Sequence, residues 1–141
     1  MEDFFDVKTY KIDGQTACLF GIFDGHGGSR AAEYLEQNLF NNLMMHPQIM
    51  RNTKMALSET YQGPDSVFLE FEKDNSSVNG STASTAVLVG NRLFVANVGD
   101  SRTIISKAGK GTWRVGGVLA MSRVFGNHML KQFVVAEPDI R

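Results

Sequence analysis

The stretch "TACLFGIFDGHGGSRAAEYLEQNL" at residues 16–39 joins three patterns that together decide the predicted fold. It opens with an apolar run typical of a β-strand. Residues 24–28, "DGHGG", follow as a turn with one carboxylate, one imidazole and three glycines. Ser29 then stands where a helix N-cap is expected, and apolar residues recur after it at three- and four-residue spacing. The stretch therefore predicts a strand that ends at the turn and an amphipathic helix that follows it.

Further strand signals lie on both sides of this stretch. "DVKTYKI" at residues 6–12 predicts a partner strand, joined to the first through a turn at Asp13 and Gly14. Two β-branched runs, "TASTAVLVG" and "RLFVANVG", predict a second hairpin around Gly90 and Asn91, and "SRTIISK" predicts one more strand. Tight hairpin connections favour antiparallel sheets with helices packed against them. The predicted fold class is α+β.

Three further helices are expected outside the strands. Residues 48–62 predict a second helix, which "GP" at Gly63 and Pro64 should stop, and residues 65–73 predict a short third helix. After Lys110 the pattern indicates a glycine-rich loop, followed by a short helix within residues 118–133.

Composition limits the classes of partner and compartment. With 141 residues and 43% hydrophobic content, the chain predicts a single domain over residues 1–141. A formal charge of -1 with scattered basic residues argues against nucleic acid as a partner. No apolar run approaches the roughly 20 residues that span a bilayer, and the acidic start argues against a targeting peptide, so no membrane is expected. The single cysteine, Cys18, fits a reducing, intracellular compartment, the cytoplasm or the nucleus.

The "DGHGG" turn offers the residue types of a metal site. An aspartate followed by glycine can direct its carboxylate and the glycine carbonyl at one hard cation, and Asp24 with Gly25 is such a pair. His26 is placed to donate a proton near neutral pH. The alternative is a plain loop with a helix cap, which these residues by themselves equally allow.

More carboxylates are expected at the ends of the predicted strands. Glu2 and Asp3 precede the strand that pairs with the one leading to the motif, and Asp100 lies on the turn after another apolar strand. A solvated terminus and a turn-forming aspartate are the alternative readings of these residues. Oxygen donors without cysteine or histidine pairs favour Mg²⁺ or Mn²⁺ over zinc.

Five motifs occur in an order that resembles a known family. They are "MED", "FGIFDGHGG", "GSTASTAVLV", "VANVGDSR" and "GGVLAMSRVFGN". Together they resemble the metal-dependent type 2C serine/threonine protein phosphatases, and the sequences around the motifs are close to those of the plant branch. The resemblance implies a partial α/β/β/α sandwich, in which two antiparallel sheets are flanked by helices.

The resemblance also implies a reaction and a set of site residues. The reaction is hydrolysis of phosphoserine or phosphothreonine in a phosphorylated protein by a water activated between two Mg²⁺ or Mn²⁺ ions, and a monomer is expected. Asp24 would bridge the ions, and His26 would protonate the leaving oxygen. Further ligands implied by position are Glu2, the carbonyl of Gly25, Asp3 through a water, and Asp100 at a weaker third ion. Support of the fold and site is implied for Ser81, Thr82, Ser101, Arg102, Ser122 and Arg123.

The chain departs from this family in three places. Relatives carry a phosphate-binding arginine before "MED", a few tens of residues between Lys110 and Gly111, and two later metal-binding aspartates. The hypothesis is a truncated product with a single, incomplete domain. Its alternative function is that of a catalytically impaired binding or regulatory module. A metal-free phosphate-binding protein that uses a helix N-terminus is the third alternative.

Overall fold

The computed structural model describes residues 2–71, 79–106, 112–115, 125–126 and 138–140. Every strand pairing described is antiparallel, so the predicted α+β class with antiparallel sheets is confirmed. The strands are β1 (Asp3–Ile12), β2 (Gln15–His26), β3 (Gly80–Ser81), β4 (Ala83–Val89), β5 (Arg92–Val98), β6 (Thr103–Ser106), β7 (Thr112–Val115), β8 (Phe125–Gly126) and β9 (Asp139–Ile140), and the helices are α1 (Arg30–Met45) and α2 (Thr53–Phe71).

Strand β2 lies at the centre of the seven-stranded main sheet. On one side it pairs with β1 along the whole length of β1, and on the other it pairs with β4 and then β3. Strands β5 and β9 continue the sheet beyond β4, while β6 and β7 form a separate two-stranded sheet. The predicted two-residue turn joins β1 to β2. Its residues, Asp13 and Gly14, have positive φ of 49° and 79°, as a tight hairpin turn of this kind requires.

Both helices contribute to a core on one face of the main sheet. Alternate residues of β2 point towards them, and Leu19 and Phe23 are fully buried there. The Phe23 ring meets Phe40 of α1 with ring centroids 6.3 Å apart. From α2, Tyr61 places its hydroxyl 2.5 Å from Oγ1 of Thr85 on β4. We call this side the helix-covered face.

The opposite side of the same sheet, here called the open face, carries exposed apolar side chains. Phe5 and Val7 of β1 and Phe20 and Ile22 of β2 line a groove of about 730 Å³. Residues 101–103, which lead into β6, border the same groove.

Helix α2 corrects two predictions. It continues through Gly63 and Pro64 to Phe71, so the predicted stop was wrong, and residues 65–71 extend the same helix instead of starting a third. A proline inside a helix removes one backbone hydrogen bond, but its fixed φ suits the helix. Pro64 and Tyr61, three residues apart, are buried whereas Gln62, Gly63 and Ser66 are exposed, so burial of this one face of α2 outweighs the local stop signal.

Strand limits differ from prediction where pairing is long-range. Strand β2 ends at His26 and not at Phe23, because Gly25 and His26 pair with β3. A strand, β7, occupies residues 112–115, where a loop was predicted, because it pairs with β6. Phe125 and Gly126 form β8 inside the segment predicted as a helix, and the rest of that segment, residues 118–124 and 127–133, lies outside the described residues.

Candidate active site

The register of β1 and β2 brings together four of the six predicted site residues. Asp3 lies directly opposite Asp24, and the Gly25 amide donates to the Glu2 carbonyl at 3.2 Å, one position further along. Because side chains alternate along a strand, Asp24 and His26 project from the same face of β2. Asp24 is therefore a strand residue and not the turn residue predicted, and its carboxylate is exposed on the open face.

Ser81, at the end of β3, and Thr82, which follows it, hold the backbone of Asp24. Its carbonyl oxygen accepts a hydrogen bond from the Thr82 amide at 2.9 Å, and the Ser81 hydroxyl lies 3.2 Å from the same oxygen. Both Ser81 and Thr82 are buried. The carboxylate is thus carried on backbone that is bonded on both sides.

The acids around Asp24 affect its ionisation. Partial burial raises the pKa of Asp24 above its ordinary value, and the charge of Asp3 and a side-chain hydrogen bond with it raise that pKa further. The charge of Asp100 acts in the same direction, whereas His26 partly offsets it. Like charges this close favour protonation of one carboxyl or the binding of a cation.

The imidazole of His26 has one nitrogen that is shielded from solvent. Its Nε2 atom is buried and has no hydrogen-bond partner among the described residues. The chain then turns into α1 through Gly27 and Gly28, with φ of 70° and 141°. At Gly28 a Cβ would overlap Oδ1 of Asn79, so this close approach requires glycine. Ser29 occupies the predicted N-cap position, but its side chain makes no capping hydrogen bond.

The remaining predicted ligands lie at the edges of this group. Asp100 is exposed on the turn after β5, and Glu2 is half-buried beside Gly25. Across the described ranges, no three His, Cys, Asp or Glu side chains converge closely enough to hold a metal ion. The donors nevertheless suit a hard cation in kind, because they are carboxylate oxygens.

Two pairs of hydroxyl groups beside the site were not found by sequence reasoning. Oγ1 of Thr82 lies 2.9 Å from Oγ of Ser101, and Oγ of Ser84 lies 2.6 Å from Oγ1 of Thr103. The signal available in the sequence was a matching spacing, two hydroxyl residues two apart in "GSTAS" and again in "DSRT". Periodicity indicates that such residues share a face, but not which strand they meet.

Neither helix in the part of the chain that the structure describes is long and apolar enough to cross a membrane.

Comparison with known proteins shows the family of the chain. A family model described as protein phosphatase 2C matches residues 8–112. The chain is 61% identical to a protein named probable protein phosphatase 2C 76 from Arabidopsis thaliana and 58% identical to probable protein phosphatase 2C 52 from Oryza sativa subsp. japonica. These alignments cover 100% of this chain but only 40% and 35% of the two relatives.

The alignments are longer than the chain itself. They run over 170 positions, whereas the chain has 141 residues, so the relatives carry residues that this chain lacks. The family model ends at residue 112, next to the junction of Lys110 and Gly111 where missing residues were predicted.

Solved structures support the same fold. A bacterial serine phosphatase superposes with a TM-score of 0.78 at 19% identity, over 99% of this chain and 62% of that one. A serine-threonine phosphatase 2C from Toxoplasma gondii superposes with a TM-score of 0.73 at 18% identity, over 99% and 71%. At these identities the likeness concerns the fold alone.

Proposed function

Because the chain belongs to the protein phosphatase 2C family, we propose that it hydrolyses phosphoserine and phosphothreonine in proteins with the help of Mg²⁺ or Mn²⁺. The observation that carries the proposal is the pairing of Asp3 with Asp24 and the position of His26 on the same face of β2. The chain spans about 40% of the curated relative it matches at 61% identity, so the activity is proposed for the site that these residues form.

Asp24 is the residue around which a cation would be held. Asp3 lies opposite it, and the charge of Asp100 reaches it from the turn after β5. Glu2 and the carbonyl of Gly25 would complete the oxygen donors on the side of β1. A bound Mg²⁺ or Mn²⁺ supplies charge stabilisation for the phosphoryl oxygens and lowers the pKa of a coordinated water.

The protein's own residues perform two further tasks. His26, on the same face of β2 as Asp24, donates a proton to the seryl or threonyl oxygen as it leaves phosphorus. The hydrogen bond from the Thr82 amide to the Asp24 carbonyl keeps the carboxylate in place while the substrate binds. Positioning of this kind contributes to the rate because it reduces the motion to be lost in the transition state.

A second function, that of a binding module with impaired catalysis, has support of its own. Among the described residues no three potential ligands converge, and the relatives contain residues that this chain lacks. A phosphatase site of this kind would still recognise phosphorylated protein without turnover. The metal-free phosphate site at the start of α1 is disfavoured, because the exposed Asp24 carboxylate would repel an anion unless a cation lay between them.

The family indicates the substrate, and composition limits the setting. We expect a phosphorylated protein as substrate and a monomer. The scattered basic residues argue against nucleic acid, and the single cysteine fits an intracellular location in cytoplasm or nucleus. One relative is named as mitochondrial, which makes fluorescence imaging of the tagged chain the direct test of location.

Hydrolysis of a phosphothreonine peptide with Mn²⁺ tests the proposal. We expect turnover by the chain, none above background for Asp24→Asn, and a loss of about 100-fold or more for His26→Ala. Asp13→Asn is the matched control, because it makes the same change at the far end of the same hairpin, where positive φ suits asparagine.

Two outcomes would decide against this reading. Turnover by Asp24→Asn at the wild-type rate would exclude the proposed site. A folded, Mn²⁺-saturated chain that binds the phosphopeptide without hydrolysing it would identify the binding module.

A further inference from the structure

Thr82 contacts both acidic segments of the proposed site. Its amide donates to the Asp24 carbonyl at 2.9 Å, and its hydroxyl lies 2.9 Å from that of Ser101. Thr82 is buried and Ser101 is half-buried, so water reaches these contacts only in part. One residue thus links the strand that carries Asp24 to the turn that carries Asp100.

The same turn is also packed against the carbon atoms of Thr82. Gly99 has φ of 102°, and a Cβ built on it would lie 2.6 Å from Cγ2 and 2.7 Å from Cβ of Thr82. Only glycine allows the turn this conformation and this distance. Thr82 therefore touches the residue before Asp100 through its methyl group and the residue after it through its hydroxyl.

We infer that Thr82 is a positioning residue, which together with Gly99 and Ser101 forms a clasp that fixes the Asp100 carboxylate relative to Asp24. The expected consequence of the clasp is a higher affinity for a cation held between Asp24 and Asp100. This consequence rests on the proposed metal-dependent function. The structural part of the inference, restraint of the turn at residues 99–101, does not depend on a metal.

The chain contains a matched control for the clasp. Ser84 and Thr103 form the same kind of hydroxyl pair, at 2.6 Å, two residues further along each segment. Its two residues are also 19 positions apart in the sequence, but neither is next to Asp100. Loss of the Ser84 hydroxyl should weaken the attachment of β6 without changing the position of the acids.

Amide hydrogen exchange measures the structural part directly. Thr82→Val keeps the shape and the backbone amide but removes the hydroxyl, and we expect exchange at residues 99–102 to accelerate about fivefold, the effect of one hydrogen bond. Ser84→Ala should stay within about twofold of wild type there. Unchanged exchange in Thr82→Val, or an equal increase in Ser84→Ala, would overturn the clasp.

Mn²⁺ binding measured by titration calorimetry tests the consequence. Thr82→Val should weaken Mn²⁺ affinity about fivefold in the wild-type background but not in Asp100→Asn, since the effect acts through Asp100. An equal loss in both backgrounds would show that Thr82 acts without Asp100. If the wild-type chain bound no Mn²⁺, the proposed function would fail, and the exchange experiment would still decide whether the clasp exists.

Discussion

The helix-covered face and the open face of the main sheet are built from alternating residues of the same strands. On β2, Leu19 and Phe23 are fully buried under the helices, whereas their neighbours Phe20 and Ile22 are 47% and 60% exposed. Asp24 has the same parity as Phe20 and Ile22, so the strand period places it on the open face. Stability is thus concentrated on one face and the proposed chemistry on the other.

This separation implies that the two faces respond differently to the same substitution. Core residues lose packing when they are truncated, and the cost depends on how well the site collapses. Side chains on the open face have little packing to lose, but those near Asp24 carry charge that the fold does not neutralise among the described residues. Each prediction below compares the chain or a variant with a matched control.

The largest effect is expected from phenylalanine truncation. Phe23→Ala should lower the free energy of unfolding by about 3–5 kcal/mol, because the ring is fully buried against Phe40. Phe5→Ala removes a ring that is 73% exposed and should change it by less than about 0.5 kcal/mol. Urea denaturation of both variants measures the difference, and equal losses would show that the open face is covered in solution.

A smaller effect is expected where α2 is bonded to the sheet. Tyr61→Phe should cost about 1–2 kcal/mol, because the buried Oγ1 of Thr85 loses its partner at 2.5 Å. Tyr10→Phe is the control, since the hydroxyl of Tyr10 bonds the exposed Asn41 and water can replace it. Thermal unfolding of the two variants should separate them, and a larger loss for Tyr10→Phe would contradict the assignment.

Tyr61 should also make the free energy of unfolding depend on pH in the alkaline range. Burial raises the pKa of Tyr61 above its ordinary value of 10.0, and the hydrogen bond to Thr85 only partly offsets this. Since the folded-state pKa is the higher one, the associated stability is fully present below pH 10 and is lost as the pH rises beyond it. Unfolding free energies between pH 9 and 11 should therefore fall more steeply for the wild-type chain than for Tyr61→Phe.

The smallest effect concerns the acids on the open face. With chelator present, Asp24→Asn should stabilise the fold at neutral pH by less than about 1 kcal/mol, because it removes the partial desolvation of a charged carboxylate and its repulsion by Asp3. The pKa of Asp24 is raised in the folded state, so the wild-type stability is fully present at low pH and decreases as the pH rises through that pKa. The gain should consequently disappear on acidification, and Asp13→Asn should show no gain at any pH.

Much of the candidate site could be predicted because its signals are local. The acid, imidazole and glycines of "DGHGG", and the strand and helix on either side of them, follow from composition and period within one stretch. The order of five motifs then indicated the family. Pairing of Asp3 with Asp24 was only an expectation, since register depends on a turn and a buried face that lie many residues away.

Sequence by itself determined the alternation of apolar and polar residues, the two-residue turns at Asp13–Gly14 and Gly90–Asn91, and the residue types of the site. Those features depend on neighbours within a few positions, where dihedral preferences and side-chain period act directly. Only the tertiary structure decided that α2 continues through Pro64, that β2 extends to His26, and that Thr82 meets Ser101 across 19 residues. These depend on burial and pairing between distant segments, whose free energies exceed the local preferences they override.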